Sequence, residues 1–216
     1  MCVLCYSSSE SLALKVYPIV AAATSTANNT NPGDRRLPII GVMGSGSIAH
    51  ADIATPLGQW LASTGVNILT GGGGGVMQAV SQAFYEVPDR QGVVIAVLPS
   101  ADQGNKEIAK PGYPNPFVEI PIQTHLPLSG AHGTDPLSRN HINVLSSDVV
   151  VALPGGAGTA SEIALCRRYT KPIAVFGGPS TVWSEVDDTL QCCRSLKQVQ
   201  EFLLSTLQML GFELEL

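Results

Sequence analysis

Three short apolar segments of this chain each run into a glycine turn and then a helix, and this repeated pattern constrains the fold more than any other feature. In the clearest case the apolar run Val149–Leu153 leads into Pro154-Gly155-Gly156-Ala157-Gly158, and we expect a helix to open at Thr159. Backbone N–H groups at a helix start are unpaired and carry partial positive charge, so they attract phosphate. We therefore predict an anion site on this turn.

Glu162 follows the same turn. With a helix that opens at Thr159, its carboxylate would lie in the first helical turn, beside any phosphate held there. A carboxylate next to an anion site adds repulsion, so we interpret Glu162 as a residue with a chemical role. The alternative is an ordinary capped helix with an acidic first turn.

The other two junctions strengthen the prediction of a phosphate site. The strand-like run Val66–Thr70 enters five glycines, Gly71 to Gly75, before a helical segment that contains Met77. Such a loop is costly in backbone entropy, and we expect its amides to wrap a phosphate. After Ile39–Met43 comes Gly44-Ser45-Gly46-Ser47, which lacks both the dinucleotide fingerprint and the P-loop lysine. The hydroxyls of Ser45, Ser47 and Thr159 are candidates to assist phosphate binding.

The order of the segments predicts the fold class. Strand-like runs alternate with helix-like segments from Leu37 onward, and a tail with helical spacing runs from Leu196 to Leu210. This alternation predicts an α/β protein with a Rossmann-like, doubly wound parallel sheet, three αβα layers and a single domain over 37–216. The glycine turns would then face one crevice at the carboxyl edge of the sheet.

Composition limits the alternatives. The 216 residues are 44% hydrophobic and 13% charged, with a net charge of −5, which argues against nucleic-acid binding. No apolar segment is long enough to span a bilayer, and we expect a cytoplasmic protein without membrane partners. We interpret residues 1–36 as a disordered leader or linker, with an organelle-targeting segment as the alternative. Cys2 and Cys5 have metal-ligand spacing that nothing completes, so we expect free thiols and no metal.

Arg139 is the candidate cation of the site. A phosphate crevice with a carboxylate suggests cleavage of an N-glycosidic bond, where Glu162 would stabilise positive charge on the sugar or activate water. The guanidinium of Arg139 suits phosphate or ribose oxygens. Asn140 and Asn143 lie on the same short helical segment, which either lines the pocket or faces water.

These residues resemble a known family. Thr70–Met77 is similar to the TGGGPGxM element of the LONELY GUY (LOG) or lysine decarboxylase-like family, and Pro154–Glu162 matches its PGGxGTxxE motif at every fixed position. Arg139 falls where that family places its catalytic arginine. The resemblance implies a usually dimeric Rossmann-like phosphoribohydrolase that needs no cofactor and cleaves nucleoside 5′-monophosphates, such as AMP, to free base and ribose 5-phosphate.

A second resemblance gives the alternative function. Pro38–Gly44 and Arg139–Ser147 are similar to molybdenum cofactor carrier proteins, which share the fold and bind the phosphate end of a pterin cofactor without known turnover. The ligand would then be the molybdenum cofactor rather than a nucleotide. In either case we expect a small phosphorylated ligand and a homodimer or higher homo-oligomer.

The two predicted functions, hydrolase and carrier, share one set of candidate residues. The candidate catalytic residues are Arg139 and Glu162. The candidate phosphate- or nucleotide-binding residues are Gly44, Ser45, Gly71, Gly72, Gly73, Gly74, Gly75, Met77, Arg139, Asn140, Asn143, Pro154, Gly155, Gly156, Gly158 and Thr159.

Overall fold

A computed structural model describes residues 36–101, 110–177 and 190–212. In these residues strands and helices alternate along the chain. The strands are β1 (Ile39–Met43), β2 (Asn67–Thr70), β3 (Val94–Leu98), β4 (Ile120–Gln123), β5 (Val149–Ala152), β6 (Ile173–Phe176) and β7 (Gln191–Cys193). The α-helices are α1 (Ala51–Ala62), α2 (Val76–Tyr85), α3 (Asn140–Ser146), α4 (Ala157–Arg168) and α5 (Leu196–Met209), with a 3₁₀ turn at Gly130–His132.

The strands form one parallel sheet in the order β4-β3-β2-β1-β5-β6-β7. The chain builds outward from β1 to β4, then returns to place β5 on the other side of β1. Gly41 of β1 is therefore flanked by Leu69 of β2 and Val150 of β5. This reversal between β1 and β5 is the topological switch point, where parallel sheets of this kind bind ligands.

Helices cover both faces of the sheet, so the predicted α/β class with three αβα layers is confirmed. Leu57 of α1, Phe84 of α2 and Leu203 of α5 pack on one face in a single buried cluster. Val144 of α3 and Leu165 of α4 belong to a second cluster on the opposite face. Such double coverage explains why the inner strands read as continuous apolar runs, as β5 does with four buried residues.

The fold differs from the sequence expectation in three details. The short strand β7 and the 3₁₀ turn have no counterpart in the predicted pattern. Helix α4 begins at Ala157, two residues before the predicted Thr159, so Glu162 lies in the second helical turn and not in the first. The expectation that placed Glu162 in the first turn was wrong because the turn after Gly156 is already helical.

Parts of the sequence interpretation lie outside the described residues. They include almost all of the predicted leader 1–36 and both Cys2 and Cys5. Among the residues that are described, no helix has the length and apolar character needed to cross a bilayer.

Candidate functional site

The turns that follow β1, β2 and β5 meet at the carboxyl edge of the sheet. The turn after β1 lies between the other two turns and is hydrogen-bonded to both of them. The backbone N–H of Ser45 donates to the carbonyl of Pro154 at 3.0 Å, and the carbonyl of Ser45 accepts from the N–H of Val76 at 2.8 Å. The Oγ of Ser45 accepts from the N–H groups of Ser47 and Ile48 at 3.2 and 3.0 Å. Ser45 therefore joins the three turns into one unit.

The helices α1, α2 and α4 follow these three turns, and no side chain caps any of them. Their N-cap residues are His50 for α1, Gly75 for α2 and Gly156 for α4, none with a capping hydrogen bond. By contrast, the Oγ of Ser195 accepts from the N–H of Gln198 at the start of α5. Uncapped first-turn N–H groups carry partial positive charge, which favours an anionic group at this edge.

A cavity of about 740 Å³ opens between the β1 and β5 turns. Its volume lies in the range of small-molecule and cofactor pockets. Of the residues singled out from the sequence, eleven candidates for binding line it together with Glu162: Gly44, Ser45, Ser47, Met77, Arg139, Asn140, Pro154, Gly155, Gly156, Gly158 and Thr159.

Arg139 and Glu162 face each other in this cavity. The Nη1 of Arg139 lies 3.6 Å from the Oε1 of Glu162, and the two residues are 5% and 7% exposed. Burial raises the pKa of Glu162 above its ordinary 4.5, an effect that the charge of Arg139 and the hydrogen bond from Asn143 oppose. The site thus contains a carboxyl group that holds its proton more tightly than one in water.

Several buried polar atoms of the site have no hydrogen-bond partner among the described residues. They include Nε and Nη1 of Arg139 and Oγ1 of Thr159. Buried polar groups are nearly always hydrogen-bonded, and an unpaired one costs roughly 1–3 kcal/mol. The two arginine nitrogens are donors from a cation and the hydroxyl can donate, so an anionic oxygen would satisfy these three atoms. The unpaired Oδ1 atoms of Asn140 and Asn143 require a donor instead.

The five-glycine loop lies beside the cavity, in contact with residues of its lining. Gly71 to Gly75 do not line the cavity. A Cβ at Gly71 would lie 2.7 Å from the Nη1 of Arg139, and one at Gly73 would lie 2.8 Å from the Oη of Tyr113. A Cβ at Gly75, where φ is +61°, would meet the backbone of Ser45 and Gly46. The glycines therefore let side chains and backbone of the site approach closely.

Asn143, predicted as a ligand-binding residue, is not part of the cavity lining. It is fully buried, and its Nδ2 donates to the Oε1 of Glu162 at 3.3 Å. Asn140 does line the cavity, and its Nδ2 donates to the Oγ of Ser161 at 3.0 Å. On α3, Asn143 therefore contacts the candidate catalytic residue Glu162, whereas Asn140 is hydrogen-bonded to Ser161 of α4.

Sequence reasoning missed five residues of the lining. Two of them, Ile48 and His50, lie between the first glycine turn and α1; His50 adopts a left-handed conformation with φ 44°. Their position directly after that turn was the available signal. The other three come from irregular segments whose course no periodicity reveals: Tyr113, Ser129 and Gly130.

Two further polar residues have structural contacts, one on α3 next to Asn140 and the other at the opposite, amino edge of the sheet. The ring of His141 contacts the Tyr169 hydroxyl at 2.6 Å and the carbonyl of Asp135 at 2.9 Å, which ties α3 to α4. Asp148 accepts from the N–H of Ile39 at 2.8 Å at the start of the sheet. Within 36–101, 110–177 and 190–212, no three His, Cys, Asp or Glu side chains are grouped so as to hold a metal ion.

Fold and site together define a Rossmann-like α/β protein with a polar crevice at the switch point of its sheet. The sequence model of the SLOG cluster4 family matches residues 37–203, and the chain belongs to this family. An uncharacterised protein from Archaeoglobus fulgidus is 32% identical over 145 residues, which cover 66% of this chain and 82% of that protein.

Two kinds of solved structure resemble this one at about one-third identity. The molybdenum cofactor binding protein from the phototrophic bacterium Rippkaea orientalis superposes with a TM-score of 0.63 and 33% identity, covering 79% of this chain and 97% of that one. The molybdenum cofactor carrier protein from Chlamydomonas reinhardtii gives a TM-score of 0.61 and 31% identity, covering 80% and 99%. The similarity to both relatives therefore spans almost their whole length.

Proposed function

We propose that this protein binds the molybdenum cofactor by its phosphate-bearing end and holds it without turnover, as a carrier or storage protein. The observation that carries the proposal is the convergence of uncapped helix starts on a buried arginine whose donors lack acceptors. The similarity to a cofactor-binding and a cofactor-carrier protein supports the choice of ligand. This reverses the order in which the sequence alone placed the two functions.

The residues of the crevice fit such a group. The N–H groups at the starts of α1 and α4 and the hydroxyl of Thr159 would face the phosphate, and Arg139 would supply its charge. When bound, the cofactor supplies a phosphate monoester and a pterin ring to these residues. Helix starts and a buried arginine are both typical phosphate ligands in proteins.

The second candidate function is hydrolysis of a nucleoside 5′-monophosphate. The buried pair Arg139–Glu162 favours it, because a carrier has no evident need for a carboxyl group beside an anion. The reaction would break the C1′–N bond and form a C1′–O bond to water, with one proton of the water passing to the departing base. Glu162 would stabilise the cationic character at C1′ or accept the proton of the water, and Arg139 would hold the phosphate or ribose.

One pair of assays on the purified protein distinguishes the two functions. Acid oxidation of the protein as isolated, followed by fluorescence chromatography, detects bound pterin. Incubation with AMP and with isopentenyladenosine monophosphate, followed by chromatography, detects free base. Bound pterin without base release supports the carrier. Base release by the wild type and not by Glu162→Gln supports the hydrolase instead, and absence of both signals contradicts both functions.

We also propose that the protein is a homodimer or higher homo-oligomer. The edge strand β4 supports this, because its residues Ile120 and Ile122 are 46% and 40% exposed. Exposed apolar side chains on a sheet edge favour association with another chain. Sedimentation of the wild type should give a multiple of 22.6 kDa and Ile122→Lys a smaller species; a monomeric wild type would contradict the proposal.

A further inference from the structure

The loop that carries Tyr113 is attached to the five-glycine loop by Asn115. The backbone N–H of Asn115 donates to the carbonyl of Gly72 at 2.8 Å, and its Nδ2 donates to the carbonyl of Gly73 at 3.0 Å. Its Oδ1 accepts from the N–H of Phe117 at 3.2 Å, and the residue is 4% exposed. These buried hydrogen bonds fix the position of Tyr113 relative to the crevice.

The glycine loop leaves room for the ring of Tyr113. A Cβ at Gly73 would lie 2.8 Å from the Cζ and Oη of Tyr113 and 2.9 Å from the Cε of Met77. A Cβ at Gly72 would lie 3.9 Å from the Cδ1 of the same ring. The side chains of Tyr113 and Met77 therefore both lie against the bare backbone of Gly73, and both residues line the cavity.

The cavity thus has two chemically different walls. Arg139, Thr159 and the helix starts form a polar wall suited to an anion. Tyr113 and the thioether of Met77 form an aromatic and apolar wall. A free phosphate needs only the polar wall. Aromatic rings and thioethers favour contact with planar heterocycles, which have polarisable faces.

We propose that Tyr113 is a specificity-determining residue of this site, whose ring contacts the planar heterocycle of a ligand held by its phosphate at the polar wall. The inference rests on the proposed function and deepens it, because it assigns the ligand class as heteroaromatic phosphates, pterin or purine, over sugar phosphates. Stacking on one aromatic side chain changes affinity by about 10- to 100-fold in comparable sites.

The test is calorimetric titration of the full-length protein with three probes: 6-hydroxymethylpterin monophosphate, AMP and ribose 5-phosphate. The variants are Tyr113→Leu, which removes the ring, and Tyr113→Phe, which removes only the hydroxyl. Tyr85→Leu, at an exposed tyrosine of α2 outside the cavity, is the matched control. Circular dichroism verifies that each variant is folded.

We expect Tyr113→Leu to weaken whichever heteroaromatic phosphate the wild type binds by about 10- to 100-fold and to leave ribose 5-phosphate within about twofold. Tyr113→Phe and Tyr85→Leu should bind like the wild type. Equal weakening of all three probes by Tyr113→Leu, no weakening at all, or a loss in Tyr113→Phe as large as in Tyr113→Leu would overturn the role of the ring. A wild type that binds none of the probes would overturn the proposed function itself.

Discussion

The Nη1 of Arg139 lies 3.6 Å from the Oε1 of Glu162, with both side chains buried and no hydrogen bond between them. Placing two charges in a protein interior is costly unless hydrogen bonds satisfy them. Here Asn143 donates to Glu162, whereas Nε and Nη1 of Arg139 have no acceptor among the described residues. The pair is therefore incomplete in a way that a bound anion would complete.

Replacement of Arg139 should remove most of the affinity for a phosphorylated ligand. A charge-assisted hydrogen bond contributes about 1.5–3 kcal/mol. Arg139→Leu should therefore weaken the binding of whichever phosphorylated ligand the wild type binds by roughly 10- to 150-fold. Calorimetric titration measures this. Arg167→Leu, at an exposed arginine of α4, is the matched control and should bind like the wild type. Unchanged affinity in Arg139→Leu would exclude Arg139 from the anion site.

The carboxyl group of Glu162 should make stability depend on pH. Burial raises its folded-state pKa above the ordinary 4.5, so the folded protein binds this proton more tightly than the unfolded chain. Its contribution to stability is complete below pH 4.5 and is lost as pH rises through the folded-state pKa. The free energy of unfolding of the wild type should therefore fall relative to that of Glu162→Gln across this window.

Urea denaturation of both proteins at a series of pH values measures the effect. Glu201→Gln, which removes an exposed carboxylate of α5, is the control for a general loss of one negative charge. A wild-type advantage that grows with pH would show that ionisation of Glu162 stabilises the fold, and the assigned direction of its pKa shift would be wrong.

The fold was predictable because its evidence is local. The strands β1 and β5 are apolar runs of five and four residues, and the turns after them contain glycines, as at Gly44 and Gly155. Strand β7 was not predicted because it has only three residues, two of them exposed, and three residues are too few for a periodic pattern. Helix α5 was predicted from its spacing because one face of it is buried, including Val199 and Leu203.

The site was only partly predictable because its geometry depends on segments far apart in the chain. A run of five glycines indicates close approach but not which groups approach, and in the structure Arg139 and Tyr113 lie against this loop. Asn143 and Asn140 look equivalent on a short helix, yet only Asn140 faces the cavity. Tyr113 lies in a proline-rich stretch without periodicity, and Asn115, which positions it, acts through contacts 42 residues away.

An ion pair at the start of the sheet should contribute stability that is lost in acid. Burial by itself raises the pKa of Asp148, but the hydrogen bonds from Arg36 and from the N–H of Ile39 outweigh it and bring the pKa below 3.8. Both Arg36 contacts are 2.7 Å, although the arginine side chain is 59% exposed. The contribution is therefore present above pH 3.8 and lost as pH falls through the folded-state pKa.

At neutral pH, Asp148→Asn should lower the free energy of unfolding by about 1 kcal/mol, since exposure of the arginine weakens the pair. A double-mutant cycle with Arg36→Met separates the ion pair from the backbone contact, which Asn retains. Urea denaturation at pH 7 and below pH 3.8 gives the coupling energy of the ion pair when Asp148 is ionised and when it is protonated. A coupling energy that persists undiminished in strong acid would contradict the role of the ionised Asp148.

Replacement of Gly58 in α1 by alanine should destabilise the protein, although alanine favours helices. The substitution gains roughly 1 kcal/mol of helix propensity, but a Cβ at Gly58 would lie 2.7 Å from the carbonyl oxygen of Val80 and 2.9 Å from the Cβ of Ala83 on α2. Backbone cannot move aside as a side-chain end can, and overpacking of this kind costs about 1–3 kcal/mol. We therefore expect Gly58→Ala to lower the free energy of unfolding, by up to about 2 kcal/mol.

The matched control is Gln59→Ala, at the exposed neighbouring position of the same helix, where the change should stay within about 0.5 kcal/mol. Urea denaturation gives the free energy of unfolding of both variants, and the difference between them separates the effect of packing against α2 from that of helix propensity. Because the N-cap residue of α1, His50, lines the crevice, separation of α1 from α2 should also weaken ligand binding in Gly58→Ala. A stabilised Gly58→Ala protein would mean that α1 and α2 are farther apart than described.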